Sequence, residues 1–242
     1  MNMSAVPSQI SSKTEMPGES TQEIVTLATH LGPRKLYDTS KRWLDLVLAV
    51  VMLLVSLPFW LFIAVLIKCD SHGPVLFVNR AVGQYGREFP LYKFRSMRCV
   101  ERAEAEKRDI VMNVLDRTPT TYKDGRPIYK TALAHDRITW LGRILRRTSL
   151  DELPQLWNIL RGDLSFVGPR PSLPDEVALY EEWQKQRLTV PQGLTGLYQV
   201  TARNRVPIAE MVRLDMDYIG RRSFWLDLKI LCKTPFVMLS GL

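Results

Sequence analysis

The 242-residue sequence predicts a small, helix-dominated α/β domain with short strands, held as a monotopic protein on one face of a membrane. Three observations carry this. From Leu46 to Ile67 there is a run of about 22 residues without a charge, long enough for a bilayer core. Ser56-Leu57-Pro58 interrupts its middle, and a proline inside a helix costs about 3 kcal/mol unless a kink is accommodated. Beyond the run, short strand-like and helix-like patterns follow one another closely.

Basic residues flank the apolar run on both sides: Lys41 and Arg42 before it, Lys68, Arg80, Arg87, Lys93 and Arg95 after it. Positive charge favours the cytoplasmic side, here at both ends. A helix over about 44–68, kinked at Ser56 and Pro58, that enters and leaves by the same leaflet satisfies both facts. A straight spanning helix that tolerates its proline is the alternative. The run starts too late, and lacks the small-residue cleavage site, for a secretory signal.

The formal net charge is +8, which suits nucleic acid, an anionic membrane face or phosphorylated substrates. Cys69, Cys99 and Cys232 form no C-x-x-C pair, and His30, His72 and His135 have no ligand spacing. No disulfide framework or structural zinc site is expected. Residues 1–40 are rich in Ser, Thr, Pro and Gly and read as a disordered arm, with a short helix over 21–31 as its one ordered candidate; residues 41–242 form the domain.

Segments 73–78 and 88–92 read as a hairpin around a Gly83/Gly86 turn, followed by Lys93-Phe94-Arg95-Ser96-Met97. Lys93 and Arg95 are either phosphate ligands or a solvated strand edge. A charged helix over 100–115 and a polar insertion over 116–134, with a turn at Asp124-Gly125, come next. Trp140, Leu141, Ile144 and Leu145 interleave with Arg143, Arg146 and Arg147. Such a helix lies in the membrane interface among lipid phosphates, or packs as a core helix with a basic face. A helix over 176–186 and an apolar, Trp225-bearing C-terminal helix complete the domain.

The chain is organised around Thr148-Ser-Leu-Asp-Glu-Leu-Pro-Gln-Leu-Trp-Asn158. Leu153, Leu156, Trp157 and Leu160 mark one helix face, and Gly162 marks its stop. Pro154 is tolerated only in the first turn, so Asp151 and Glu152 fall at the positive end of the helix dipole. Ser149-x-x-Glu152 is equally a capping box, which would make the acids structural. Chemically, a carboxylate can attack phosphorus once arginine, a divalent cation or a helix N-terminus offsets the charge. Arg143, Arg146, Arg147, Arg161 and Arg170 are near in sequence.

Ser149–Asn158 and the following Gly162-Asp-Leu-Ser-Phe-Val-Gly-Pro-Arg-Pro171 resemble the core of the bacterial sugar transferases, the monotopic polyprenyl-phosphate phosphoglycosyl transferases. Arg80-x-x-Gly83-x-x-Gly86 and Lys93–Met97 extend the likeness, as does Gly193-Leu-Thr-Gly196-Leu-Tyr-Gln199-Val with Arg203-Asn204. The likeness covers residues 40–240; Asn79, the inserted Gln192 and Ala202 depart from the pattern. It implies a re-entrant membrane helix and a reaction in which a UDP-sugar donates sugar 1-phosphate to undecaprenyl phosphate, giving UMP. This initiates exopolysaccharide, capsule or O-antigen assembly at the cytoplasmic face of the inner membrane. It further implies Asp151 as nucleophile, Glu152 as its helper, Mg²⁺ held by both, and Lys93, Arg95, Arg170, Gln199 and Arg203 as phosphate and substrate ligands. Anionic lipids are implied partners, and a homodimer is left open. A non-catalytic scaffold of a polysaccharide assembly complex is the rival reading, and the intact Asp151-Glu152 and Arg170 argue against it. A nucleic-acid binder is disfavoured by the apolar run and by the lack of any binding module.

Overall fold

The computed structural model describes residues 34–98, 121–123, 126–128, 137–202 and 206–239. The arm up to residue 33, the expected helix at 100–115 and Arg203 lie outside them. Helix α1, Lys35–Asp70, has 36 residues and is about 54 Å long at 1.5 Å per residue. It starts inside the segment expected to be a disordered arm. Tertiary contacts order that start: the Tyr37 hydroxyl donates to Asp227 at 2.8 Å, and its ring stands edge-on to Phe224. Composition carries no such information.

α1 runs without interruption through Pro58. An 18-residue window within it has a mean hydropathy of 2.8, and only 17% of that window is buried. One narrow stripe faces inward: Ala49, Leu53, Ser56, Trp60, Ile63 and Ile67 are buried or half-buried, while Val50, Val51, Leu54, Val55, Phe59 and Phe62 are exposed. Pro58 offers no N–H to the helix ladder. Ser56 sits on the inner stripe beside it, donating to the Leu53 carbonyl at 3.2 Å and accepting the Trp60 indole N–H at 3.1 Å.

The two ends of α1 rest on one compact body. Strands β1 (Leu76–Val82) and β2 (Glu88–Phe94) form the expected antiparallel hairpin, β1 starting three residues later and ending four later than the sequence pattern and β2 running two residues longer. β3 (Thr121–Lys123) and β4 (Arg126–Ile128) pair antiparallel on either side of Asp124-Gly125. Helices α2 (Trp140–Thr148) and α3 (Gln155–Arg161) follow, then β5 (Ser165–Val167). The single helix expected over 176–186 is instead two turns, α4 (Pro174–Val177) and α5 (Glu182–Lys185). The Gln184 side chain accepts the Glu181 amide at 2.8 Å, a reciprocal cap that starts a new helix there. β6 (Gly193–Thr195) pairs parallel with β5, and α6 (Leu197–Thr201), α7 (Ile208–Arg221) and α8 (Phe224–Leu239) close the domain.

Ala49 from the first half of α1 joins the main core with Ala81, Phe89, Leu156, Ile159 and Phe166. Ile63 and Ile67 from the second half join Phe94, Leu141 and Leu145. Fully burying a side chain such as Ile67 contributes about 1.5–3 kcal/mol. Polar clamps reinforce both halves. Lys41 pairs with buried Asp227 at 2.8 Å, and Arg42 donates to the Ile159 and Leu160 carbonyls at 2.5 and 2.8 Å, closing the C-terminus of α3.

β5 and β6 approach backbone to backbone. A Cβ on Gly193 would lie 2.1 Å from the Gly168 nitrogen, whereas one on Gly220, in the last turn of α7, would meet nothing within 4 Å. Gly193→Ala is therefore expected to destabilise by about 3 kcal/mol or more. Gly220→Ala is expected to stabilise by up to about 1 kcal/mol. Thermal unfolding of the detergent-solubilised protein measures both, and equal melting temperatures would contradict this packing.

Candidate functional site

Pro154 shapes the centre of the site. Lacking an N–H, it cannot continue an α-type ladder from the preceding turn, so Leu150–Glu152 close as a 3₁₀ turn and α3 starts at Gln155. Asp151 and Glu152 therefore stand one turn ahead of α3, not in its first turn as the periodicity suggested. The capping-box alternative does not hold either. Ser149 has φ 55°, a left-handed residue ending α2, and its side chain caps nothing. Asp151 is buried and Glu152 half-buried.

Strand β2 delivers the partner. Lys93 Nζ lies 2.7 Å from Glu152 Oε1, and both side chains are shielded. Lys93 reaches it because Asn158, wholly buried, holds the outer edge of β2. Its amide donates to the Pro90 carbonyl at 2.7 Å, and its oxygen accepts the Tyr92 N–H at 3.2 Å. Asn158 thus completes a hydrogen-bond ladder that has no third strand among the described residues. The sequence reading carried Asn158 only as a motif letter, although a buried amide beside a strand edge is the signal that could have exposed it.

Arg95 is tied to the end of α1. It is 4% exposed, and its Nη2 donates to the Ile67 carbonyl at 3.2 Å and to the Ser71 carbonyl and hydroxyl. It caps the C-terminus of α1, where a cation is favourable, and does not lie on a solvated edge. Alternation along β2 explains this: Lys93 and Arg95 share a face of an extended strand, but the chain leaves the strand at Phe94, and Arg95 turns toward the helix end.

The Ser96 backbone anchors the entry to α2. Gly142 lies so near that a Cβ there would sit 1.9 Å from the Ser96 carbonyl oxygen, and Thr139 caps the helix by accepting the Gly142 N–H at 2.9 Å. Arg143 and Arg147 are exposed on α2 with Trp140 and Ile144, while Leu141 and Leu145 are buried.

Arg170 and Gln199 lie on the segments that follow the two strands of the parallel β5/β6 pair, whose C-terminal end is a recurrent place for ligands in parallel sheets. Arg170 follows β5 through Gly168-Pro169 and is exposed. Gln199 lies in α6, with its Oε1 buried over Gly196.

Among the described residues no group of three or more His, Cys, Asp or Glu could hold a metal. The Asp151–Glu152 pair still fits Mg²⁺, whose usual set is one or two carboxylates completed by water and substrate phosphate oxygens.

The bacterial sugar transferase family matches residues 36–241. The chain belongs to this family. A sugar transferase named galactosyl transferase CpsE, from Streptococcus agalactiae serotype III, is 41% identical over 204 residues, covering 84% of this chain and 42% of the relative. The undecaprenyl-phosphate galactose phosphotransferase of Salmonella typhimurium is 37% identical over 200 residues, covering 82% and 40%. Exopolysaccharide production protein ExoY of Rhizobium meliloti is 40% identical over 210 residues, covering 86% and 89%. The chain thus spans about two fifths of the first two relatives and most of the third.

In this sugar transferase the Lys93–Glu152 contact is expected to couple the two residues. A double-mutant cycle of Lys93→Met and Glu152→Gln, read by thermal unfolding, should return about 1 kcal/mol of interaction for a half-shielded pair. Strict additivity would show that the contact is not maintained.

Proposed function

We propose that the chain transfers sugar 1-phosphate from a UDP-sugar to undecaprenyl phosphate, releasing UMP, at the cytoplasmic face of the bacterial inner membrane. The observation that carries the reading is the adjacent carboxylate pair, one member buried and the other held by a lysine, in a chain that also carries a long apolar helix. The family match and the relatives' names agree with it. A scaffold has no need of such a pair.

In the proposed mechanism an Asp151 carboxylate oxygen attacks the β-phosphorus of the donor. The bond to the bridging oxygen breaks, UMP departs with that electron pair, and an aspartyl phosphosugar remains. A phosphate oxygen of undecaprenyl phosphate then attacks the same phosphorus. The acyl phosphate bond breaks, the polyprenyl diphosphate-sugar forms, and Asp151 returns as a carboxylate. The Lys93 contact with Glu152 supports an orienting role for Glu152, with the attack made by Asp151. Mg²⁺, held by these two carboxylates, would supply charge neutralisation between them and the diphosphate. Arg170 clamps a phosphate, with Gln199 as a substrate ligand and Arg203 as a further phosphate ligand.

The chain's seat in the membrane follows from the same facts. α1 has polar anchors at both ends on one body, at Lys41 and Arg42 and again at Ile67 and Ser71, with an exposed apolar middle. A re-entrant helix bent at Ser56-Pro58 meets this requirement. The exposed Trp140 and Trp225 of α2 and α8 would then lie at the interface among anionic lipids.

UMP release by the detergent-solubilised protein, with Mg²⁺ and undecaprenyl phosphate, across a panel of UDP-sugars tests the reaction. Release with one sugar, reduced at least about 10³-fold in Asp151→Asn while the variant stays in the membrane, is the expected result. Full turnover in that variant would sink the mechanism. Cysteine labelling tests the topology. With Cys69 as sole cysteine, or Trp43→Cys in a cysteine-free background, a membrane-impermeant maleimide is expected to label both from one side only.

A further inference from the structure

The loop that carries Arg170 is held at nearly every backbone position. The Gly168 N–H donates to the Thr195 carbonyl at 2.9 Å, and the Pro169 carbonyl accepts the Gly193 N–H at 2.7 Å. The Ser172 carbonyl accepts the Val82 N–H at 2.8 Å. Between these points one side chain from outside the loop does the holding. Arg187 is 0% exposed, and its Nη2 donates to the Arg170 carbonyl at 2.8 Å and to Asp215 Oδ2 at 2.6 Å. Its Nη1 donates to the Ser172 hydroxyl at 2.9 Å and to the Tyr180 hydroxyl at 2.6 Å.

A fully buried guanidinium is a costly way to fill space, since replacing such an ion pair with apolar residues is often neutral or stabilising. Leu188 beside it, also 0% exposed, packs instead with Val82 and Val177. What an apolar residue cannot do is bind four acceptors at once in a fixed fork. Burial raises the Asp215 carboxyl to about 6 against the pull of Arg187, so at neutral pH it is the counter-ion of the guanidinium. The fork ends on the carbonyl of the one residue in the loop whose own cationic side chain is turned out to solvent.

We propose that Arg187, neutralised by Asp215 and steadied by Tyr180, is a positioning residue that aims Arg170 at the diphosphate of the nucleotide donor. It acts through Arg170 and touches no substrate. The proposal rests on the reading of Arg170 as a phosphate clamp.

The test is UDP affinity by calorimetry on the full-length protein in detergent with Mg²⁺, beside thermal unfolding. Arg187→Lys keeps the charge opposite Asp215 but loses the fork. It is expected to weaken UDP binding about tenfold, as is Arg170→Ala, the scale of a lost hydrogen bond to a charged group. Because Arg187 acts through Arg170, the double variant should bind no worse than Arg170→Ala alone. Leu188→Ala, a plain core truncation, should lower the melting temperature and leave UDP affinity unchanged. Should Arg187→Lys fail to fold, Tyr180→Phe removes one bond of the same network, and its effect on UDP affinity must likewise vanish in the Arg170→Ala background.

Multiplicative losses in the double variant, or unchanged affinity in folded Arg187→Lys while Arg170→Ala binds weakly, would overturn the positioning role and leave the clamp standing. Unchanged affinity in Arg170→Ala, or no UDP binding by the wild type, would remove the clamp and the positioning role together.

Discussion

A helix whose middle is apolar on almost every side must be held by its ends. Here the holding is done by charged groups meeting backbone and counter-ions on a single body. Asp227 draws in Lys41 and the Tyr37 hydroxyl, and its other oxygen accepts the Tyr218 hydroxyl at 2.8 Å. Asp45 receives the Phe166 N–H at 3.1 Å. At the far end Arg95 closes the helix. Each of these groups would be expensive if left unpaired away from water, so the end of α1 and its receptor on the domain stabilise only one another. The domain's remaining elements are arranged to supply those receptors: α3 offers its terminal carbonyls, β5 an amide, and α8 a carboxylate.

The same economy of parts recurs at the carboxylates. Among the described residues β2 has a strand neighbour on one edge only, and Asn158 serves the other. The hairpin is thereby fixed to the helix that follows Asp151 and Glu152, so the lysine and the acid it meets are carried by segments locked together a few residues away. Pro154 completes the arrangement by forcing a tight turn at the acids themselves. Preorganisation of this kind lets a site act without reorganising at the moment of reaction.

Much of this was legible in the residues. The apolar run, its proline, the hairpin and the helix stop at Gly162 all follow from local patterns with physical causes. The carboxylate pair stood out for the same reason, although its exact helical setting did not: periodicity cannot tell an α-turn from the 3₁₀ turn that Pro154 imposes. What escaped was long-range. Lys41 and Arg42 read as topological charges, and nothing local marks Asp227 or the Ile159 carbonyl as their partners. Arg95 and Lys93 are two residues apart in one basic motif, yet one caps a helix and the other meets an acid. Arg187 was passed over because a buried arginine looks, in sequence, like any surface one. The 176–186 stretch broke in two because a reciprocal Glu181–Gln184 cap outweighs helix propensity over so short a span.

Phe94 and Lys93 are neighbours on one strand and face opposite sides of it. Phe94 packs against Ile63 and Ile67 and stands edge-on to Trp60, 5.4 Å between ring centres, while Lys93 reaches Glu152. The seating depth of α1 and the placement of an acid are therefore separated by a single peptide bond. A bilayer too thin or too thick for the helix exerts a force along it. Under the proposed seat in the membrane, that force has a short mechanical route to the carboxylates through two adjacent residues of β2.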